Sequence, residues 1–321
     1  MADPGTTEGH KPVALVITGP TATGKTALSL DVAERLDGEI ISMDSRQVYR
    51  GMDIGTAKVT PDQRARVPHH GLDLVDPDER YSAGQFARDA RRWIEEIRAR
   101  GHTPILVGGS GFFLRALTHP LFREPEMPGR AREALKRWLE RQPQEKLRRW
   151  LADLDPATAK MLEASGGRQR VARALEVALL TGRPLSWWHR HAPPETPPVP
   201  LLIFVLSLPR EQLYRRINDR VLEMIEAGWV DEVRALLERG YDLDDPGMVA
   251  TGYPELVAYL RGEWSLEEAI DATQRATRRY ARRQLTWFRH QLPPGAIWLD
   301  ATRPRAELVD TIADIWNRED L

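Results

Sequence analysis

The chain has 321 residues, 41% of them hydrophobic and 29% charged, with a formal net charge of −1. That is enough apolar material for a sizeable core, fits about two domains at ~150 residues each, and excludes wholesale disorder. Cysteine is absent, which excludes disulfides, thiolate metal sites and a cysteine nucleophile. No apolar run approaches the ~20 residues that cross a bilayer, and residues 1–11 are polar with no signal-like stretch. A cytoplasmic protein without a membrane partner is expected.

Residues 13–18 (VALVIT) read as a buried strand that ends at a glycine loop. A helix is expected over 26–36, where Ala27, Leu30, Ala33 and Leu36 recur at helical spacing and Asp37-Gly38 stops it. A second strand at 39–43 ends at Asp44. A helix follows over 81–100, with Phe86, Trp93 and Ile97 on one face, and a third strand at 104–107 runs into Gly108-Gly109. This alternation implies a parallel sheet with helices on both faces. From 122 to 182 only helical patterns appear, marked by Leu135, Trp138 and Leu139, then Leu147, Trp150 and Leu151, then Val171, Leu175, Val177 and Leu179. A proline-rich linker at 193–200 leads to a strand at 201–208. Helices at 210–239 and 265–290, a strand at 296–299 and a last helix from Arg305 complete the chain. The fold class is therefore α/β, a P-loop parallel sheet with an inserted all-helical domain. Its first part spans 12–121, the insertion 122–198, and the second part of the core 199–321, which carries a basic helix.

Gly19, Pro20, Thr21, Ala22, Thr23, Gly24, Lys25 and Thr26 fit G-x-x-x-x-G-K-[ST], directly after a strand and opening a helix. Glycines let successive amides converge on phosphate oxygens, and the helix N-terminus adds favourable partial charge. Lys25 supplies a cation for the terminal phosphates, and the Thr26 hydroxyl can hold Mg²⁺. The chain binds a di- or triphosphate on this reading. A nucleoside triphosphatase places an acid after another apolar strand, yet the strand at 104–107 ends in Gly108-Gly109-Ser110. The acid at a strand end is Asp44. Strand carboxyl ends face the ligand crevice in such sheets, so Asp44 suits a general base, with a helix or turn cap as its structural alternative.

Net charge conceals a bias, because 40 of the 46 cations are Arg. Residues 272–299 hold six Arg and no acid. Arg275, Arg279 and Arg282 recur at i, i+4, i+7, a spacing that makes either a solvated helix face or a phosphate-binding one. Tyr280, Leu285, Trp287 and Phe288 are expected to pack inward, and most of the ten Trp sit at core spacing. His69 and His70 are adjacent, the wrong spacing for a helical zinc pair.

Seven segments in this order resemble one family: GPTATGKT at 19–26, DSRQVY at 44–49, GMDIGTAK at 51–58, HHGLD at 69–73, VGGSG at 107–111, RALEV at 173–177 and RQLTWF at 283–288. The chain is similar over about residues 13–290 to the bacterial tRNA dimethylallyltransferase (isopentenyl-tRNA transferase) family of the P-loop superfamily. The resemblance implies transfer of a dimethylallyl group from dimethylallyl diphosphate, with Mg²⁺, to the exocyclic amine of the adenosine 3′ of the anticodon. The partner is then a tRNA anticodon stem-loop, and the protein is expected to act as a monomer.

The same likeness implies Asp44 as catalytic base, with Lys25 and Arg220 on the leaving diphosphate. A helix-surface salt bridge is the structural alternative for Arg220. Asp44, Ser45, Arg46 and Gln47 are implied to contact the extruded adenosine and its neighbours, since flipping a base is cheapest in an unpaired loop. Ser110, where the family commonly has Thr, and Arg130, with Arg132 as its alternative, are further implied tRNA contacts. So are Gln169, Arg170, Val171, Ala172 and Arg173, and Val249, Ala250, Thr251, Gly252, Tyr253 and Pro254. Two departures stand out: Ala164-Ser165-Gly166-Gly167 replaces a His-Pro-Asn-Asp type of turn, and Pro254 replaces a cation. With a tRNA substrate, Arg275, Arg279 and Arg282 read as phosphate ligands. The alternatives from other classes are an ATP-dependent small-molecule kinase with a helical lid, and a nucleotide-gated RNA-binding switch.

Overall fold

The computed structural model describes residues 11–119, 127–163, 167–192 and 197–319. The boundary expected at 121–122, the turn residues 164–166 and the linker residues 193–196 lie outside them. The chain divides into two compact units, Met1–His119 with Pro198–Leu321, and Pro120–Pro197.

The first unit begins β1 Ala14–Thr18, α1 Lys25–Arg35, β2 Gly38–Ser42, α2 Pro61–Arg66, β3 His69–His70, α3 Ala83–Ala99, β4 Thr103–Gly108 and α4 Gly111–Thr118. The second unit holds α5 Gly129–Glu140, α6 Gln144–Leu154, α7 Pro156–Leu162, α8 Arg168–Thr181 and α9 Leu185–His191. The first unit then resumes with β5 Leu201–Ser207, α10 Arg210–Glu226, α11 Trp229–Glu238, α12 Tyr253–Leu260, α13 Leu266–Gln291, β6 Ile297–Asp300 and α14 Arg305–Glu319.

Six parallel strands form one sheet in the order β3-β2-β4-β1-β5-β6. β1 is central and fully enclosed, as apolar strands covered on both faces must be. Its side chains alternate between two cores. Leu15 and Ile17 join Leu28 and Val32 of α1 and Ile312 and Trp316 of α14. Ala14 and Val16 join Phe86, Trp93 and Ile97 of α3 and Leu114 of α4. The helical unit has its own core of Leu139, Leu147, Leu151, Leu162, Val171, Ala174 and Leu175.

Three expectations need correction. The helix expected over 210–239 is two, because the chain turns at Gly228, whose φ of 98° is a left-handed conformation that costs glycine nothing. The apolar spacing continues across that break and hides it. Short helices α2, α4 and α12 lie in stretches where no helix was expected. Burial of most Trp also fails: Trp93, Trp229 and Trp316 are enclosed, but Trp138, Trp264 and Trp298 are at least 41% exposed. Trp138 stacks on Trp150 at 5.2 Å on the surface of the helical unit, where helical spacing alone had suggested core.

Candidate active site

The carboxyl ends of β1, β2 and β4 meet at one edge of the sheet, where doubly wound sheets open their ligand crevice. From β1 the chain enters the phosphate loop. Gly19 has φ 139°, and a Cβ there would lie 2.5 Å from the Leu206 carbonyl of β5, so the loop closes only over a glycine. The Thr23 hydroxyl donates to the Pro20 carbonyl at 2.8 Å. Lys25 Nζ donates to the Gly19 and Pro20 carbonyls at 3.0 and 2.7 Å. An ammonium has three donors, which leaves one for a ligand. Burial, then the nearby charge of Arg220, lowers the Lys25 pKa from 10.5 to about 7, against the opposing pull of Asp44.

Asp44 follows β2. Its Oδ1 accepts the Arg46 amide at 2.8 Å, so the carboxylate also holds a turn. The Ser45 amide donates to Ser110 Oγ at 2.9 Å, and Ser110 Oγ donates to Ser45 Oγ at 3.2 Å, which pins the Asp44 turn to the loop after β4. Gln47 is fully engaged: its Oε1 accepts from Ser42 Oγ, and its Nε2 donates to the Thr56 and Ala57 carbonyls. Arg46 donates to the Pro246 carbonyl at 2.9 Å.

Two cavities open on this edge. The first, about 520 Å³, is lined by the phosphate loop, Asp44, Gly108, Gly109, Arg220 and Tyr280. The second, about 310 Å³, is lined by Ser45, Arg46, Trp229, Val249, Ala250 and Arg283 among others. Thr21, Ala22, Asp44, Thr56, Arg220 and Tyr280 border both. Arg220 reaches in from α10, donating to Thr21 Oγ1 at 3.3 Å, and burial lowers its pKa against the charges of Asp44 and Glu223. Burial, then the charge of Asp44, raises the pKa of the Tyr280 phenol.

The other residues singled out in the sequence are placed as follows. Val249 and Thr251 border the second cavity, but Tyr253 is fully enclosed and its hydroxyl donates to Glu232 at 2.7 Å. Pro254 lies in the first turn of α12, and Glu255 caps it by accepting the Gly252 amide at 3.0 Å, so the departure from a cation completes a helix start. Arg275, Arg279 and Arg282 are exposed on α13, with Arg275 3.4 Å from Asp271. In the helical unit Arg130, Gln169 and Arg170 are exposed, Val171 is core and Ala172 is half-buried. Arg132 and Arg173 both bind the buried Glu176. Arg216, Asp219 and Glu223 line the first cavity beside Arg220, and were missed although i, i+3, i+4, i+7 puts all four on one face of α10. Thr56 and Arg283, which also line the cavities, lie in the GMDIGTAK and RQLTWF segments, but no spacing singled them out. Among the described residues no group of three His, Cys, Asp or Glu is placed to hold a metal, and no helix is long and apolar enough to cross a membrane.

A parallel α/β sheet with a phosphate loop after its central strand defines a P-loop protein. The chain belongs to the IPP transferase family, whose model matches residues 47–291. It is 48% identical over 307 residues to a tRNA dimethylallyltransferase of Nitrobacter hamburgensis, covering 95% of this chain and 96% of the relative. It is 45% identical to that of Geobacter sulfurreducens, covering 92% and 94%. The tRNA isopentenylpyrophosphate transferase of Bacillus halodurans superposes with a TM-score of 0.69 at 38% identity, over 97% of this chain and 98% of the other. A eukaryotic dimethylallyltransferase acting on tRNA superposes with a TM-score of 0.79 at 30% identity, over 94% and 76%.

Proposed function

We propose that this protein transfers the dimethylallyl group of dimethylallyl diphosphate to the exocyclic amine of the adenosine 3′ of the anticodon in tRNA, releasing diphosphate. The observation that carries the reading is that one carboxylate, Asp44, borders both a phosphate-loop cavity and a second cavity beside it. The donor's diphosphate occupies the loop, and the adenine enters from the second cavity. The amine nitrogen bonds to the allylic carbon as the carbon–oxygen bond to diphosphate breaks. The departing oxygens take the electron pair, and an amine proton passes to Asp44.

The adenine amine is a weak nucleophile because its lone pair is delocalised into the ring, so loss of the proton as the bond forms helps most. Charge developing on the diphosphate is met by loop amides, Lys25 and Arg220, which are fixed before reaction begins. Thr26 lines the same cavity, and its hydroxyl would hold Mg²⁺ beside the diphosphate. Such an ion would neutralise charge on the leaving group.

On this reading Ser45 and Arg46, with Val249, Thr251 and Arg283, meet the nucleotides around the flipped base. Gln47, Ser110 and Tyr253 act by holding the loops that do so. Arg130, Gln169 and Arg170 of the helical unit, and Arg279 and Arg282 of α13, supply tRNA contacts. An ATP-dependent kinase is disfavoured, because the loop after β4 carries no carboxylate. The test is incubation of purified protein with Mg²⁺, dimethylallyl diphosphate and unmodified tRNA, read by mass spectrometry of the digested tRNA. Isoprenylated adenosine is expected; a phosphorylated product from ATP with no response to the prenyl donor would replace this reading.

A further inference from the structure

Gln284 is an enclosed amide that the mechanism above does not use. It lies on α13 one turn after Tyr280 and is 7% exposed. Its Oε1 accepts the Thr21 amide at 3.0 Å, and its Nε2 donates to the Gly109 carbonyl at 3.0 Å. Both partners are backbone groups of fixed polarity, so one end must be an acceptor and the other a donor. A primary amide side chain offers both at once, from two adjacent atoms. The opposing loop is built for it: a Cβ on Gly109 would lie 2.3 Å from Gln284 Nε2.

The two ends of this bridge lie on different parts of the reaction. Thr21 belongs to the phosphate loop and touches Arg220. Gly109 precedes Ser110, whose hydroxyl holds the Ser45 amide and so the turn that carries Asp44. We infer that Gln284 is a positioning residue for the transfer, setting the spacing between the diphosphate cradle and the catalytic carboxylate. The inference rests on the prenyl-transfer reading of the site. Transfer needs the base, amine and allylic carbon aligned, and a misplacement of about 1 Å can cost about 100-fold in rate.

Two variants test it. Gln284→Leu removes both hydrogen bonds, whereas Gln284→Glu keeps an acceptor for Thr21 and sets a carboxylate oxygen against the Gly109 carbonyl. In both, kcat is expected to fall about 10- to 100-fold at temperatures well below melting, while the KM and Kd for tRNA change less than about threefold. The losses of Gln284→Leu and Ser110→Ala are expected to be less than additive in the double variant, as for residues in one chain of contacts. A kcat within twofold of wild type, a KM that rises in step with the fall in kcat, or full additivity overturns the inference. Pyrophosphate affinity, measured by calorimetry on the same variants, keeps the two questions apart. If wild-type protein makes no isoprenylated tRNA, the functional reading fails. Weakening of pyrophosphate binding by Gln284→Leu would then still support the bridge's hold on the cradle, and unchanged binding would overturn it.

Discussion

Arg220 Nη1 donates to Thr21 Oγ1 at 3.3 Å, so a cation 199 residues further along the chain touches the phosphate loop. Arg220 is carried on α10, and it borders both cavities with Asp44. On the proposed reading its charge meets the leaving diphosphate before the reaction. Arg220→Ala is expected to lower kcat about 100- to 1,000-fold, the usual loss of one preorganised donor to developing negative charge. Single-turnover kinetics at saturating tRNA measure it; a loss confined to tRNA affinity would move Arg220 from chemistry to binding.

On the proposed reading Asp44 has two separable duties, because its Oδ1 also accepts the Arg46 amide. Asp44→Asn keeps an oxygen for that amide and removes the base, whereas Asp44→Ala removes both. Turnover is expected to fall about 10²–10⁴-fold in each, with tRNA binding preserved in Asp44→Asn and weakened in Asp44→Ala. Equilibrium binding beside rate measurement distinguishes the two.

Burial and Arg220 bring the Lys25 pKa down to about 7, so the ligand-free cradle loses charge as pH rises through neutrality. A bound diphosphate favours the ammonium and raises the pKa again. Binding at pH 8 should then take up a proton, and affinity should fall as pH rises above 7. Calorimetry with a non-reactive thiolodiphosphate donor analogue, in buffers of different ionisation enthalpy, should show the uptake in wild type but not in Lys25→Arg. The folding linkage has its own sign. Between pH 7 and Lys25's ordinary 10.5 the unfolded chain holds a proton that the folded chain lacks, so this residue's contribution makes the ligand-free protein more stable with rising pH.

Glu232 accepts the Asp53 and Ile54 amides at 2.6 Å and the Gly55 amide at 3.1 Å, as well as the Tyr253 hydroxyl. Glu232→Ala orphans four donors, and a loss of about 3 kcal/mol in urea unfolding is expected, since unmet donors cost more than the net value of their bonds. Glu232→Gln should lose less.

Arg279 and Arg282 are exposed one turn apart on α13. Replacing each by Gln should lower the slope of log affinity against log salt for tRNA by about 0.7–0.9, with little sequence dependence. An unchanged slope would leave this face merely solvated.

The cradle and Asp44 were legible because strand, glycine loop and helix start are local signals, and strand ends point at the crevice. Asp44 served both readings that its sequence allowed, cap and cavity carboxylate. What escaped depends on distant partners. Gln284 stands in the RQLTWF segment of the resemblance, but nothing local says what its amide binds, and only its meeting with Thr21 and Gly109 gives it a part. Tyr253 looks like a recognition residue by its place in a loop motif, yet Glu232, 21 residues earlier, draws its hydroxyl inward. Glu176 hides similarly: RALEV gives no sign that its carboxylate gathers Arg132 as well as Arg173.

The close approach of Gly19 to Leu206 ties the donor cradle to a strand that is made only after the helical unit. During synthesis the loop leaves the ribosome well before its floor, which arrives some 180 residues later. A nascent chain halted before β5 would therefore carry every phosphate-binding residue of the loop and still fail to retain a diphosphate.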